Sequence, residues 1–280
     1  MNLVKLNTID REKLPCKELE KKNIEVEVLR LDKIHHIISG NKWFKLKYYL
    51  EEVKKGSYHS VLTFGGAYSN HIVATAFTGQ AMGLESIGII RGEHAKTLSP
   101  TLIEAVKYGM RLIFISREQY KKKHEIPEKF KEAFIIPEGG AGPQGVRGAS
   151  GIMDLFPSES YTHILCAVGT GTTLAGLTAA AAPGLKCIGI SVLKGMHGTN
   201  LVSDYHFGGY AKKNQELLDF MNSFYAETGI PTDFVYTGKL FYAALDLLRK
   251  DFFPSGSKLL LIHSGGLQGN LSLPKGMLHY

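Results

Sequence analysis

Short apolar stretches alternate with segments of helical periodicity along most of this 280-residue chain. Strand-like patterns at residues 60–64, 85–90 and 111–115 alternate with helical patterns at 71–82 and 100–108. Such alternation is typical of parallel strands that are joined by crossover helices. We therefore predict an α/β fold made of open parallel sheets with helices on both faces.

The same alternation begins before this region and continues after it. Further strands are predicted at 24–31, 162–168, 186–192 and 259–263, and further helices at 42–55, 148–155, 174–182, 216–227 and 239–249. The glycine-rich residues 135–145 lack a core pattern and are predicted to form a loop near a domain boundary. We predict a larger domain from residues 1–50 plus 145–280 and a smaller one from 51–144, as two lobes with a cleft between them.

Composition narrows the class of partner. The formal net charge is +7, but no basic stripe is interleaved with aromatic residues, so we do not expect nucleic-acid binding. A small anionic ligand suits a positive molecule equally well. The cysteines Cys16, Cys166 and Cys187 show no C-x-x-C spacing, and the last two lie in apolar runs. We expect buried thiols in a reducing, cytoplasmic setting, without a targeting segment or membrane span.

Two lysines stand at the start of the predicted helix 42–55. Its apolar face is formed by Leu46, Tyr49 and the residues one turn further on, and Lys42 and Lys45 fall in and just after the first turn. The positive end of a helix disfavours an ammonium group. The pair therefore indicates a bound anion or a lysine that is needed without its proton, as in Schiff-base chemistry; two solvated surface lysines are the alternative.

A second pattern links a buried strand to a helix through glycines and hydroxyls. These residues are Gly169, Thr170, Gly171, Thr172 and Thr173. Backbone N–H groups and hydroxyls at a helix N-terminus can hold a phosphate. Neither the P-loop nor the G-x-G-x-x-G pattern is present, so a single phosphate is expected and not a dinucleotide. A plain turn between strand and helix remains the alternative.

Three further strand ends or helix starts carry polar side chains. Ser69 and Asn70 open the helix after Gly65-Gly66, either as caps or as a polar floor for a ligand. Tyr236 and Thr237 precede the helix 239–249, either as a packing aromatic and an N-cap or as ligand contacts. Ser264 follows the last strand, where open α/β sheets bind ligands. No histidine spacing predicts a metal site; the adjacent His35 and His36 are expected to diverge on a strand.

Taken together, these stretches resemble one enzyme family. They are residues 40–46 (Gly-Asn-Lys-x-x-Lys-Leu), 65–70 (Gly-Gly-x-x-Ser-Asn), 169–173 (Gly-Thr-Gly-Thr-Thr), 236–239 (Tyr-Thr-Gly-Lys) and 263–266 (His-Ser-Gly-Gly). Their order and spacing are similar to those of the D-cysteine desulfhydrase and 1-aminocyclopropane-1-carboxylate deaminase family. These are pyridoxal-phosphate enzymes of the tryptophan-synthase β fold (fold type II), with the cofactor in the cleft. The resemblance spans nearly the whole chain.

The resemblance implies a role for each motif. Lys42 would carry the pyridoxal phosphate as a Schiff base and act as general base, and Lys45 would share the phosphate with Gly169, Thr170, Gly171, Thr172 and Thr173. Asn70 would bind the phenolic oxygen of the ring, and Ser69 would bind the substrate carboxylate or assist proton transfer. Tyr236 would flank the ring as a possible acid or base, and Thr237 and Ser264 would lie near the pyridine nitrogen. A homodimer is also implied.

Two departures bear on the substrate. Ring-opening deaminases of the family carry glutamate and leucine where this chain has Thr237 and Ser264, so the ring nitrogen would be less cationic here. The resemblance then favours β-elimination from a small amino acid, most simply D-cysteine to pyruvate, sulfide and ammonia. Trp43 and Phe44 also depart from the family and would reshape the wall beside Lys42. An aminocyclopropane carboxylate deaminase and a non-catalytic binder of pyridoxal phosphate remain the alternatives.

Overall fold

The computed structural model describes residues 9–15, 22–93 and 96–280. Contacts divide the chain into two compact units, a larger one formed by Met1–Asn41 with Ala149–Tyr280 and a smaller one formed by Lys42–Gly148. Each unit contains its own sheet. The domain limits inferred from the sequence stay a prediction, and Cys16 lies outside the described residues.

The elements follow one another as strands and helices in near-regular alternation. The strands are Arg11–Lys13 (β1), Glu25–Leu29 (β2), Ser60–Gly65 (β3), Glu85–Arg91 (β4), Met110–Ile115 (β5), Ala133–Ile136 (β6), His163–Val168 (β7), Lys186–Ser191 (β8), Leu201–Val202 (β9) and Lys258–Ile262 (β10). The α-helices are Lys42–Lys55 (α1), Asn70–Ala81 (α2), Pro100–Lys107 (α3), Arg117–Lys121 (α4), Pro143–Ser150 (α5), Thr172–Ala180 (α6), Gln215–Thr228 (α7) and Thr237–Arg249 (α8).

Both sheets are built from parallel pairs, with one exception. The sheet of the larger unit has the order β1-β2-β10-β7-β8-β9, and only the pair β1–β2 is antiparallel. The sheet of the smaller unit has the order β5-β4-β3-β6 and is wholly parallel. The predicted α/β class is therefore confirmed.

Each unit buries an apolar core beside its sheet. In the larger unit, α8 contributes Leu240, Phe241 and Ala244 to a cluster that includes Val28 and Leu261 from the strands. In the smaller unit, the predicted apolar face of α1 is buried, with Leu46, Tyr49, Leu50 and Val53 all 3% exposed or less. Burial of this kind is the main favourable term in folding.

The prediction for residues 135–155 was wrong in two places. Residues 135 and 136, expected in the loop, belong to β6, since residues 133–136 pair in register with β3. The helix expected at 148–155 is α5, which starts at Pro143 and ends at Ser150, and only a single 3-10 turn follows at Met153–Leu155. Glycines weaken helices in general, so the glycines of α5 did not favour a helix that starts at Pro143. Proline at the first helical position has the opposite effect.

Smaller differences also have local causes. The strands β1 and β9 are too short to show a periodicity, and the sequence did not reveal them. The helix α8 begins at Thr237, two residues earlier than expected. His35 and His36 do not diverge on a strand, since their rings stack with centroids 4.5 Å apart. None of the described helices combines the length and apolar composition that a membrane crossing would need.

Candidate active site

Lys42 is the first residue of α1, as predicted, and the division by contacts assigns it to the smaller unit. The first turn of this helix contains no acidic residue, so its partial positive charge is not offset locally. Lys45 lies one turn further along and is buried, at 6% exposure, and Lys42 is partly buried. Burial lowers the pKa of the nearby His71 ring, and the charges of Lys42 and Lys45 lower it further. The start of α1 is thus a strongly positive environment.

The start of α2, in the same unit, leaves polar groups available. Ser69 occupies the N-cap position, but its side chain makes no capping hydrogen bond, so the capping alternative for Ser69 is wrong. The buried side-chain oxygen of Asn70 has no hydrogen-bond partner among the described residues. Buried polar atoms are nearly always paired, so one without a partner calls for an explanation. A ligand that meets Ser69 and Asn70 would supply it.

In the larger unit, two of the predicted motifs end neighbouring strands. The segment that begins at Gly169 follows β7, and Ser264 follows β10, which pairs in parallel with β7. Parallel strands place their carboxyl ends at one edge, where α/β sheets bind ligands. Gly171 takes a φ of 80° at the N-cap of α6, a conformation that suits glycine. The hydroxyls of Thr170 and Thr172 lie 2.9 Å apart.

Residues just before α1 pack tightly against this edge. The side-chain amide of Asn41 donates to Thr173 Oγ1 at 2.8 Å, and its backbone N–H donates to the Ser264 carbonyl at 3.3 Å. A Cβ on Gly40 would lie 1.8 Å from that carbonyl oxygen, so only glycine fits there. The residues before Lys42 are therefore held by Thr173 at the start of α6 and by Ser264 just after β10.

Tyr236 and Thr237 are organised by a buried carboxylate. Asp233 is fully buried and accepts hydrogen bonds from the N–H groups of Val235 at 2.9 Å, Tyr236 at 2.8 Å and Thr237 at 2.9 Å. The Thr237 hydroxyl donates to Asp233 at 2.8 Å and accepts from the Asp233 N–H at 2.8 Å. Burial raises the pKa of Asp233, and the bonds from Thr237 and Tyr236 oppose that rise.

The Thr237 side chain is thus fixed, and it does not act as the expected N-cap. Tyr236 occupies the N-cap position and is partly buried. A Cβ placed on Gly169 would approach the Tyr236 ring to 3.2 Å, so the glycine makes room for this ring beside the end of β7. The Tyr236 hydroxyl donates to that of Tyr210 at 3.3 Å. Because Tyr236 is only partly buried, the packing role expected for its ring does not exclude contact with a ligand.

These residues fit pyridoxal phosphate in chemical type. Glycine, threonine hydroxyls and a helix start suit the phosphate, and a lysine at a positive helix end suits the aldehyde. The unpartnered oxygen of Asn70 leaves hydrogen-bonding capacity for a polar ring substituent. Lys42, Lys45, Ser69 and Asn70 belong to the smaller unit, and the other predicted site residues belong to the larger one.

Sequence reasoning overlooked four residues that shape these groups. Asp233 stands four residues before Thr237, and an aspartate just before a helix is a usable capping signal. Lys239 ends the quoted motif 236–239 but received no role, although a lysine on the buried face of α8 is an anomaly that the sequence shows. Asn41 lies inside a quoted motif, while no pattern in the sequence pointed to Tyr210.

Across residues 9–15, 22–93 and 96–280, no cluster of three or more histidine, cysteine, aspartate or glutamate side chains could hold a metal ion.

The chain is similar to proteins of known family. It is 31% identical to a Thermotoga maritima protein named "Putative 1-aminocyclopropane-1-carboxylate deaminase", over 89% of this chain and 91% of that protein. It is 29% identical to the Arabidopsis thaliana "Bifunctional D-cysteine desulfhydrase/1-aminocyclopropane-1-carboxylate deaminase, mitochondrial", over 83% of this chain and 70% of that one.

A solved structure points to the same family. The crystal structure of an "ACC deaminase homologue" superposes with a TM-score of 0.78 at 28% identity, and covers 95% of this chain and 92% of that one. A scan against models of protein families finds no match. Sequence and fold therefore agree over almost the whole length: the chain belongs to the 1-aminocyclopropane-1-carboxylate deaminase and D-cysteine desulfhydrase family of pyridoxal-phosphate-dependent enzymes.

Proposed function

We propose that this protein binds pyridoxal phosphate at Lys42 and catalyses β-elimination from a small amino acid, most simply D-cysteine. The balanced reaction converts D-cysteine and water to pyruvate, hydrogen sulfide and ammonia. When bound, pyridoxal phosphate supplies an electron sink that acidifies the Cα–H bond of an amino acid. The remaining tasks, which are binding, orientation and proton transfer, fall to the side chains of the chain itself.

The smaller unit would supply the base and the substrate carboxylate site. Lys42 Nζ would hold the cofactor covalently and, once displaced by the substrate amine, would take the Cα proton. The positive end of α1 favours the neutral amine that this step requires. The Ser69 hydroxyl, which makes no capping bond, and the start of α2 would bind the carboxylate, and Asn70 would orient the ring through its side-chain amide, whose oxygen has no partner among the described residues.

The larger unit would hold the rest of the cofactor. Residues 169–173 would bind the phosphate together with Lys45, which brings a buried positive charge. Tyr236 would flank the ring and could hold or give a proton at its hydroxyl. Thr237 and Ser264, at 0% and 8% exposure, would lie near the ring nitrogen.

One observation carries the choice of β-elimination. The side chain at position 237 is the neutral hydroxyl of Thr237, which donates a hydrogen bond to Asp233 at 2.8 Å. It is not a carboxylate that could keep the ring nitrogen of the cofactor protonated. A weaker electron sink suffices to expel a good leaving group such as a thiol, and it suits the opening of a cyclopropane ring less well. The names of the relatives include both activities, so a deaminase of 1-aminocyclopropane-1-carboxylate is the second candidate.

The decisive experiment combines product analysis with labelling. The purified protein, loaded with pyridoxal phosphate, is given D-cysteine, L-cysteine or 1-aminocyclopropane-1-carboxylate, and sulfide, pyruvate and 2-oxobutanoate are measured. We expect sulfide and pyruvate from D-cysteine. Borohydride reduction and peptide mapping should place the cofactor on Lys42. The variant Lys42→Ala should lower turnover by at least about 100-fold, since it removes the general base.

A matched control is Lys47→Ala, because Lys47 is an exposed lysine of the same helix. Its removal should change neither labelling nor turnover. Release of 2-oxobutanoate without sulfide would assign the deaminase activity instead. A labelled Lys42 with no product from any substrate would leave a pyridoxal-phosphate-binding protein, and labelling elsewhere would contradict the whole proposal.

A further inference from the structure

Lys239 is a buried cation that the proposed reaction does not use. Its side chain lies on α8 at 0% exposure, and its Nζ donates to the backbone carbonyls of His206 and Gly209, both at 2.8 Å. Burial lowers the pKa of Lys239 to about 8, and the charge of Asp233 opposes this shift. A lysine is rarely fully buried unless its charge is paired or hydrogen-bonded. Its two acceptors belong to one short turn.

The turn from His206 to Gly209 has an unusual backbone. Phe207, a residue with a side chain, has a φ of 50°, and Gly208 and Gly209 have φ values of 91° and 120°. The Gly209 N–H donates to the His206 carbonyl at 3.0 Å, and the Gly208 N–H donates to His206 Nδ1 at 2.9 Å. Sparsely populated backbone conformations persist only where neighbouring groups hold them. The Lys239 ammonium supplies two such bonds.

The residue after this turn faces a proposed active-site residue. The hydroxyl of Tyr210 lies 3.3 Å from that of Tyr236, and the two rings meet edge to face with centroids 6.0 Å apart. Tyr210 is 43% exposed, so packing alone does not hold its ring. Tyr236 stands directly before α8, three residues from Lys239. The same helix start therefore carries one tyrosine and anchors the turn that presents the other.

We propose that Lys239 is a positioning residue, whose buried ammonium fixes the turn 206–209 and thereby holds the Tyr210 phenol against Tyr236. This inference rests on the proposed function in one respect, because that function places Tyr236 beside the ring. Without the two bonds, the buried Gly209 carbonyl would keep only the Lys212 N–H among the described residues, at 3.1 Å, and the turn would lose its charged donor and open. The Tyr210 ring would then lose its fixed position, while the core of α8 would remain packed.

The test on the full chain uses Lys239→Met, which keeps the side-chain length and removes the charge. Amide hydrogen exchange is measured by mass spectrometry, with pyridoxal phosphate bound. We expect exchange in residues 206–211 to rise by about tenfold, the effect of losing hydrogen bonds from a charged donor, with little change in α7. Lys250→Met is the control, because it removes an exposed ammonium at the end of the same helix. It should leave the turn protected.

If Lys239→Met does not fold, Lys239→Gln supplies the second variant, since its amide can still donate to one carbonyl. Its exchange in 206–211 should lie between those of the wild type and an open turn. Exchange at wild-type rates in either folded variant would overturn the proposal. This measurement requires no substrate, so it decides the role of Lys239 even if D-cysteine is not turned over.

A double-mutant cycle connects the turn to the reaction. Lys239→Met and Tyr210→Phe should each lower kcat, and the double variant should be no slower than the slower single variant, because both act through the Tyr210 hydroxyl. Fully additive effects would show that Lys239 acts only on stability, and the positioning role would be rejected. A Lys239→Met enzyme with unchanged kcat would reject it as well.

Discussion

At the scale of single residues, His71 shows how burial and hydrogen bonding select one protonation state. Thr63 donates its hydroxyl proton to the Ile136 carbonyl at 2.8 Å, so the His71 Nε2–H must donate to Thr63 Oγ1, also at 2.8 Å. The buried Nδ1 has no hydrogen-bond partner among the described residues. Desolvation, with help from Lys42 and Lys45, lowers the pKa of His71 to about 3. The ring is therefore neutral in the folded protein.

This depressed pKa predicts how stability depends on pH. Below about pH 6.5 the unfolded chain protonates His71 while the folded chain does not, down to pH about 3. The free energy of unfolding is therefore unaffected by His71 above about pH 6.5. As the pH falls from there toward 3, protonation of His71 in the unfolded chain lowers it by about 1.4 kcal/mol per pH unit. Urea unfolding of His71→Gln across this range should show a shallower acid decline. His279→Gln, which removes an exposed imidazole, is the control; equal slopes for wild type and His71→Gln would refute the assignment.

At the scale of elements, the glycine-rich segment before and within α5 packs against α1. A Cβ on Gly148 would lie 1.8 Å from the Phe44 carbonyl oxygen, and a Cβ on Gly140 would lie 2.9 Å from the Lys45 Cβ. The Gln144 amide donates to Glu52 near the other end of α1, at 2.9 Å. These glycines allow close approach of two backbones, so they support the helix whose first residue is Lys42.

The variant Gly148→Ala should therefore disturb α1. An added methyl group at 1.8 Å from a backbone atom cannot be accommodated by a rotamer change, so one element must move. We expect a loss of about 3 kcal/mol in the free energy of unfolding and weaker borohydride labelling of Lys42. Gly198→Ala is the control, because a Cβ at Gly198 would meet no atom within 4 Å. Normal stability and labelling in Gly148→Ala would contradict this packing role.

At the scale of the whole molecule, the net charge of +7 and the helix starts without acidic residues predict stabilisation by an anionic ligand. A ligand that binds only the folded chain stabilises it by about 2.7 kcal/mol at 100 times its Kd. Pyridoxal phosphate should therefore raise the thermal midpoint of the ligand-free protein in a concentration-dependent way. Pyridoxal, which lacks the phosphate, should raise it much less at equal concentration. Equal shifts from both compounds would exclude a phosphate site at residues 169–173.

Much of this organisation was readable from local patterns. The limits predicted for α1 coincide with those observed, because apolar residues at helical spacing mark its buried face and a glycine and an asparagine precede it. The strand preceding Gly169 was predicted within a residue, since its six positions are all buried and apolar or small apart from His163. The motifs containing Lys42, Ser69 and Thr237 were recognisable because their residue types and order resemble one family.

What the amino-acid order determined by itself was the class of fold, the placement of most helices and strands, and the family. Periodicity records which side of an element is buried, and that information is local. Only the tertiary structure decided that residues 133–136 pair with β3, that Asp233 holds Thr237, and that Lys239 is bonded to the turn 206–209. A strand partner or an acceptor for a buried charge can lie dozens of residues away, and its identity depends on how the chain packs.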